Sequence, residues 1–255
     1  MATATVQVAD TIQTPITAFT DAGVYTLPRD LRFSETHYTR VAFHSDLAIK
    51  LPTRYALADY ERYVVNEESM DGGIRANESS ERASHFGELL AAFPEFQPTA
   101  HQHDSHTMHW LLIHRRQHQR LRALPAGTFR VPDARFVYVR ERRFFREHIH
   151  PGIVQVRAYG VELWDMLTPG GPGAPPPRVR DEFQFLKEPV GRAIQAVAES
   201  EWADHINWYI RNFIYNPESR ILWYIDSKPS NLIGRRTNAM NRVSLLRDFA
   251  DVRHS

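Results

Sequence analysis

The chain contains no cysteine, and that absence removes several chemistries at once: it can build no disulfide framework, thiolate zinc site, iron–sulfur cluster or cysteine nucleophile. Any metal would have to sit on His, Asp or Glu. No apolar run reaches the roughly 18 residues that a membrane span needs, and the opening MATATVQVAD has neither the basic start nor the apolar stretch of a signal peptide. The expectation is a cytoplasmic protein with no membrane contact. Charge of one sign is lacking too: 31 basic and 30 acidic residues leave a net charge of +1. That is too little for a field that would hold nucleic acid, which is therefore not an expected partner. Lysine is scarce, since Lys50, Lys187 and Lys228 stand among 28 arginines. In so arginine-rich a chain the place of each lysine is informative, because an ordinary surface charge would have been written as Arg.

What is present belongs to a folded domain. Hydrophobic residues at 42% and charged residues at 24% of 255 positions match ordinary globular usage. Residues 1–20, without a clear period, are expected to form a flexible N-terminus. Residues 21–167 read as a strand-rich α+β part: VYTL, HYTRVAF and DLAIKL are punctuated by Pro28 and Pro52, and FVYV and Ile153 to Trp164 follow later. Ala56 to Val65 has helical spacing, Phe86 to Phe93 reads as a short helix stopped by Pro94, and Glu141 to His148 reads as one or two helical turns. The stretch 168–177, with five prolines and three glycines, is a Pro/Gly linker or loop, because such residues join neither a ladder nor a helix. Residues 178–255 form a helical C-terminal part. In it Pro189 opens one helix, Ile206, Ile210 and Phe213 mark a second, and ILWYID and LIGR flank the turn SKPSN. The fold class expected is α+β, with a strand-rich N-terminal part and a helix-plus-hairpin C-terminal part.

The C-terminal order of helix, apolar strand, Asp226-Ser227-Lys228-Pro229-Ser230-Asn231 and, later, Asp248-Phe249-Ala250 resembles the catalytic segment of the protein-kinase-like superfamily. That segment carries an Asp, an Asn five residues on, and a later Asp-Phe-Gly. The resemblance implies a phosphotransferase or nucleotide-binding protein using ATP and Mg²⁺. Asp226 would orient the attacking hydroxyl, Lys228 would meet the transferred phosphate, and Asn231 and Asp248 would ligate magnesium. Upstream, Leu47-Ala48-Ile49-Lys50 is close to the Val-Ala-Ile-Lys strand of that superfamily. It implies Lys50 on the nucleotide phosphates and Glu61, in the helix that follows, as its ion-pair partner. His150-Pro151-Gly152-Ile153-Val154 resembles the entry to the fourth strand of the small lobe. Asp, Ser, Pro and Asn are also what a plain tight connection between strands uses, so a non-enzymatic binding or interaction protein stays open beside the phosphotransferase.

Thirteen histidines offer metal chemistry as a further alternative. His44-Ser45-Asp46 with His148 or His150 about a hundred residues on, and Arg157 available for an acidic cosubstrate, resembles the Fe(II)/2-oxoglutarate oxygenases. HQHDSHTMH resembles the metal-loading loop of metallo-β-lactamase-like hydrolases, with His101, His103 and His106 converging as its ligands and Asp104, one position early, reaching the layer behind them. Against both stands the expectation that this His-rich stretch is a solvated turn leading into an Arg-rich face. His114 and His118, four apart, would share a helix face. Trp164, Trp202, Trp208 and Trp223 lie in apolar-periodic segments and are expected in the core.

Overall fold

The computed structural model describes residues 19–28, 31–36, 38–57, 86–99, 105–125, 129–143, 146–168, 170–228 and 235–250. It is α+β. Strands β1 (Val24–Thr26), β2 (Ser34–Glu35), β3 (Thr39–His44), β4 (Leu47–Pro52), β5 (Ala134–Arg143) and β6 (Arg146–Val156) form one sheet in the order β1-β5-β6-β4-β3-β2. All neighbours are antiparallel except β1 with β5. A second sheet, β7-β8-β9, is built from Val161–Glu162, Phe213–Asn216 and Ile221–Tyr224. Four helices are α1 (Ser105–Arg122), α2 (Leu163–Leu167), α3 (Pro177–Ala198) and α4 (Arg235–Ala250), and residues 54–57 and 86–92 are helical as well.

The period-2 alternation of β4 explains how the larger sheet positions a site. Leu47, Ile49 and Leu51 point to one face and pack with Val137, Val139 and Val154. Ala48 and Lys50 therefore point to the other face. On that face Phe136, Tyr138 and Ile153 pack under the apolar side of α1, at Met108, Leu111 and Leu112. α1 runs on far enough to place Leu121 in the core of the second half, with Phe183, Ile194, Trp208, Phe213 and Tyr224. Burying each such side chain stabilises the fold by roughly 1.5–3 kcal/mol.

Several expectations are corrected here. Glu141 to His148 is the end of a β-hairpin and not helical, because Glu141 faces His148 across the strands and also binds Arg40 at 3.1 Å. Ile206 to Phe213 is not one helix: a 3₁₀ turn at Ala203–His205 ends before it, and a second at Ile210–Asn212 leads into β8. Its regular helix is replaced by side-chain bonds: Asn238 of α4 donates to the Ile206 carbonyl at 2.8 Å and accepts from the Trp208 N–H at 2.9 Å. α3 opens at Pro177, where a missing N–H costs nothing, and Pro189 lies in its interior. Residue 168 and residues 170–176, between α2 and α3, are neither helix nor strand. Met166 before it and Phe183 after it lie in the same core. The His-rich stretch, from Ser105 on, is helical, and His109, His114 and His118 are buried, not solvated. Trp208 is in the core as expected, whereas Trp164 is 42% exposed. Among the described residues no helix is long and apolar enough to cross a membrane.

Candidate functional site

A cavity of about 740 Å³ opens between the two sheets. Its upper wall is the β3–β4 hairpin with β6, contributing Val41, Phe43, Ala48, Lys50 and Gln155; its lower wall is Ile214 of β8 and the residues that follow β9. His114 and Trp110 reach it from α1.

Lys50 stands at mid-strand, opposite Val41 on one side and Ile153 on the other. Its Nζ donates to the Ile225 carbonyl at 2.5 Å, a contact across 175 residues of chain. Burial pulls the Lys50 pKa below the ordinary lysine value, and the Asp226 carboxylate opposes that pull. Asp226 is held from three directions. Its Oδ2 accepts from Asn207 Nδ2 at 2.7 Å and from Asn212 Nδ2 at 3.3 Å, and its Oδ1 accepts from the Lys228 N–H at 2.9 Å. Asn207 is in turn fixed through its backbone N–H, which donates to the Tyr224 hydroxyl at 2.9 Å. Burial raises the Tyr224 pKa well above that of a free phenol, so this hydroxyl stays protonated.

Lys228 lies over the ring of Tyr38, its Nζ 4.0 Å from the centroid. His114, which feels the charge of both lysines, has Nδ1 3.3 Å from Ser227 Oγ and its ring 4.1 Å from that of Trp110. Burial, then the charges of Lys228 and Lys50, push its pKa down to about 3, against a hydrogen bond to Ser227. It is a neutral imidazole at pH 7. The cavity wall thus carries Lys50, Lys228, the neutral His114 ring and Asp226, and Arg157, Arg211 and Glu162 line it as well.

The structure brings Lys50, Asp226 and Lys228 to this one cavity. Asp248 is elsewhere. It lies in the last turn of α4, ten residues beyond Asn238, which is about 15 Å along a helix axis, beside the Phe249 ring that packs on Gly191 of α3. Its expected place on a shared magnesium is corrected accordingly. Glu61 and Asn231 lie outside the described residues, as do His101, His103 and Asp104 and the side chain of His106.

The iron site does not assemble. His44 faces Leu47, and Leu47 faces Val156, whereas His150 is six residues back along β6, about 20 Å at ~3.3 Å per residue. His148 is farther still. His150 instead lies 3.3 Å from Glu141, and Asp46 accepts the Tyr159 hydroxyl at 2.6 Å. Among the described residues no three His, Asp or Glu groups could hold a metal ion.

Asn207, Asn212 and His114 escaped sequence reasoning. The signal for the first two was available: Asn207 and Asn212 are five apart and stand directly before the strand FIYN, the same spacing sought between Asp226 and Asn231. For His114 only its place against Ser227 on the cavity wall distinguishes it from the other buried histidines of that helix. Compared with models of known protein families and with curated proteins, the chain matches none.

Proposed function

We propose that this is a nucleotide-binding protein of reduced kinase-like type, which holds a nucleoside polyphosphate such as ATP together with Mg²⁺ in the cavity between the two sheets. The observation that carries this reading is the meeting of Lys50, Asp226 and Lys228 in one cavity, from segments far apart in the chain. A compact ammonium next to a single carboxylate is suited to a phosphate oxygen, and Val41, Ala48 and Ile214 offer apolar walls to a flat ring.

The donor set suits magnesium. Asp226 accepts three N–H bonds, which leaves about one of its roughly four acceptor positions open. Asn212 uses its amide N–H groups on the Asn207 carbonyl at 3.2 Å and on Asp226, so its side-chain oxygen is the part left to ligate. One carboxylate and one amide oxygen, with phosphate oxygens and water, make an ordinary magnesium shell. When bound, the ion would neutralise charge on the phosphates.

The kinase-like pattern is supported better one hairpin upstream of where the sequence suggested it. Asn207 and Asn212 are followed by the β8–β9 hairpin and then by Asp226. In that alignment Asn212 and Asp226 take the metal-side places expected of Asn231 and Asp248, and Asn207 stands where a carboxylate would orient the hydroxyl. An amide cannot take a proton. The other carboxylate lining the cavity, Glu162, is bound to Arg211 at 2.7 Å. These two observations favour a second reading of the same site, in which nucleotide is bound without phosphoryl transfer.

Calorimetric titration of the full chain with ATP and MgCl₂ tests the reading. Binding that is lost in Lys50→Met and weakened in Asp226→Asn is the expected result; no heat and no rise in melting temperature with any nucleoside polyphosphate at millimolar concentration would overturn it. Incubation with γ-labelled nucleotide then separates transfer from binding alone.

A further inference from the structure

At the far end of the cavity from Lys50 the chain leaves β6 at Arg157, four residues beyond Ile153, which is the cross-strand partner of Lys50. At ~3.3 Å per residue, the two cations are about 13 Å apart along the strand. The setting of Arg157 is unlike that of the lysines. Its guanidinium carbon is 4.5 Å from the centroid of Phe43 and 4.8 Å from that of Tyr159. The Tyr159 hydroxyl donates to Asp46 at 2.6 Å. The arginine is thus oriented by stacking on two rings, half-buried on the cavity wall, with no carboxylate salt bridge among the described residues.

A guanidinium so placed presents a rigid fork of donors to whatever occupies the apolar part of the cavity. Phe43, Val41 and Ala48 above and Ile214 below leave that part suited to a flat heterocycle. Among the purines the fork discriminates sharply. Guanine offers two acceptors, O6 and N7, on one edge, which a single arginine binds in bidentate fashion; adenine offers N7 beside the N6 amino group, a donor that faces the N–H fork donor to donor.

We infer that Arg157 is a base-selecting residue and that the nucleotide preferred by this cavity carries guanine, not adenine. The inference rests on the nucleotide reading above and deepens it by naming the base. The phosphate end, at Lys50 and Lys228, is common to all nucleotides and gives affinity without choice. The Arg157 end gives the choice.

The test compares GTP and ATP, each with MgCl₂, by calorimetric titration of the full-length wild-type chain and of Arg157→Lys, whose far-UV circular dichroism confirms folding. Lysine keeps the positive charge and removes the fork. Wild-type protein is expected to bind GTP about five- to a hundred-fold more tightly than ATP, the range one bidentate base contact supplies. In Arg157→Lys the GTP affinity should fall to that for ATP while the ATP affinity is unchanged. 7-Deaza-GTP, which lacks the N7 acceptor, should bind wild type more weakly than GTP does. Equal affinities for GTP and ATP, a preference for ATP, or a GTP preference that survives in Arg157→Lys would overturn the inference and leave the nucleotide reading standing. Binding of neither nucleotide would remove both.

Discussion

Replacing Asp226 by asparagine preserves the shape of the side chain while withdrawing the one carboxylate that offsets Lys50. Lys50 is left with the Ile225 carbonyl as its hydrogen-bond partner, in a setting where burial already disfavours its charge. The two groups attract without a direct salt bridge, so losing the carboxylate costs about 1–3 kcal/mol. The new amide adds to it. If its oxygen keeps the Lys228 N–H, its NH₂ faces the NH₂ groups of Asn207 and Asn212. Lys50→Met should cost less, because Asp226 retains its three N–H donors. The Lys50→Met/Asp226→Asn double variant should therefore be more stable than the two single losses predict, by at least about 1 kcal/mol of coupling. Urea unfolding followed by tryptophan fluorescence reads all four corners of the cycle. The pH dependence supplies an independent sign. Because the folded pKa of Lys50 lies below the ordinary 10.5, the unfolded chain binds more protons between those two values, and stability rises with pH across that window. In Asp226→Asn the carboxylate no longer holds the pKa up, so the rise begins at lower pH. Additivity within about 0.5 kcal/mol, or an Asp226→Asn curve parallel to wild type, would refute the coupling of Lys50 to Asp226.

Three further outcomes follow from the same geometry. Asn238→Ala removes both clamps on the Ile206–Trp208 segment and leaves a buried N–H and C=O without partners, at about 1–3 kcal/mol each; a lower urea midpoint together with weakened nucleotide binding is expected, since Asn207 lies between them. His114 and His118 have folded pKa values pushed down to about 3 and about 4, so they stay neutral in the fold and take protons on unfolding. Stability should fall as pH drops below the ordinary 6.5 toward those values, and His114→Gln should flatten that acid limb in urea midpoints measured from pH 7 to pH 4. Gly160→Ala would bring a Cβ 2.1 Å from the Tyr215 carbonyl oxygen at a φ of +143°, whereas Gly170→Ala, at φ +76°, meets nothing within 4 Å. Thermal melts should show a loss of roughly 3 kcal/mol or more for the first and about 1 kcal/mol for the second.

Of the fold, the strands around Lys50 were legible because their signal is local. The alternation in LAIKL sends Leu47, Ile49 and Leu51 one way and Lys50 the other, whatever they later pack against. The same holds for proline and glycine in 168–177, which exclude ladder and helix by their own covalent geometry. Where local pattern and cross-chain partner disagreed, the partner decided. Ile206, Ile210 and Phe213 carry helical spacing, yet Asn238, some thirty residues on, supplies the bonds that hold the segment open. Glu141 to His148 has polar residues tolerable on a helix face, yet its ladder with itself and the charge of Arg40 draw it into a hairpin.

The candidate site divides along the same line. By itself the sequence determined which groups were scarce enough to matter: the absence of cysteine, the three lysines, and the Asp226 turn between apolar segments. It could not rank Asp226 with Asn231 against Asn207 with Asn212, because both pairs are five residues apart, and spacing along a chain is silent about distance across a cavity. Only the tertiary structure supplies such distances: it closes Lys50 onto Ile225 across 175 residues, buries His114 within reach of the charge of two lysines and leaves Asp248 in the last turn of a helix. The physical reason is that burial and Coulomb interaction depend on every neighbour in three dimensions, whereas the period of a strand or the ring of a proline depends on the chain alone.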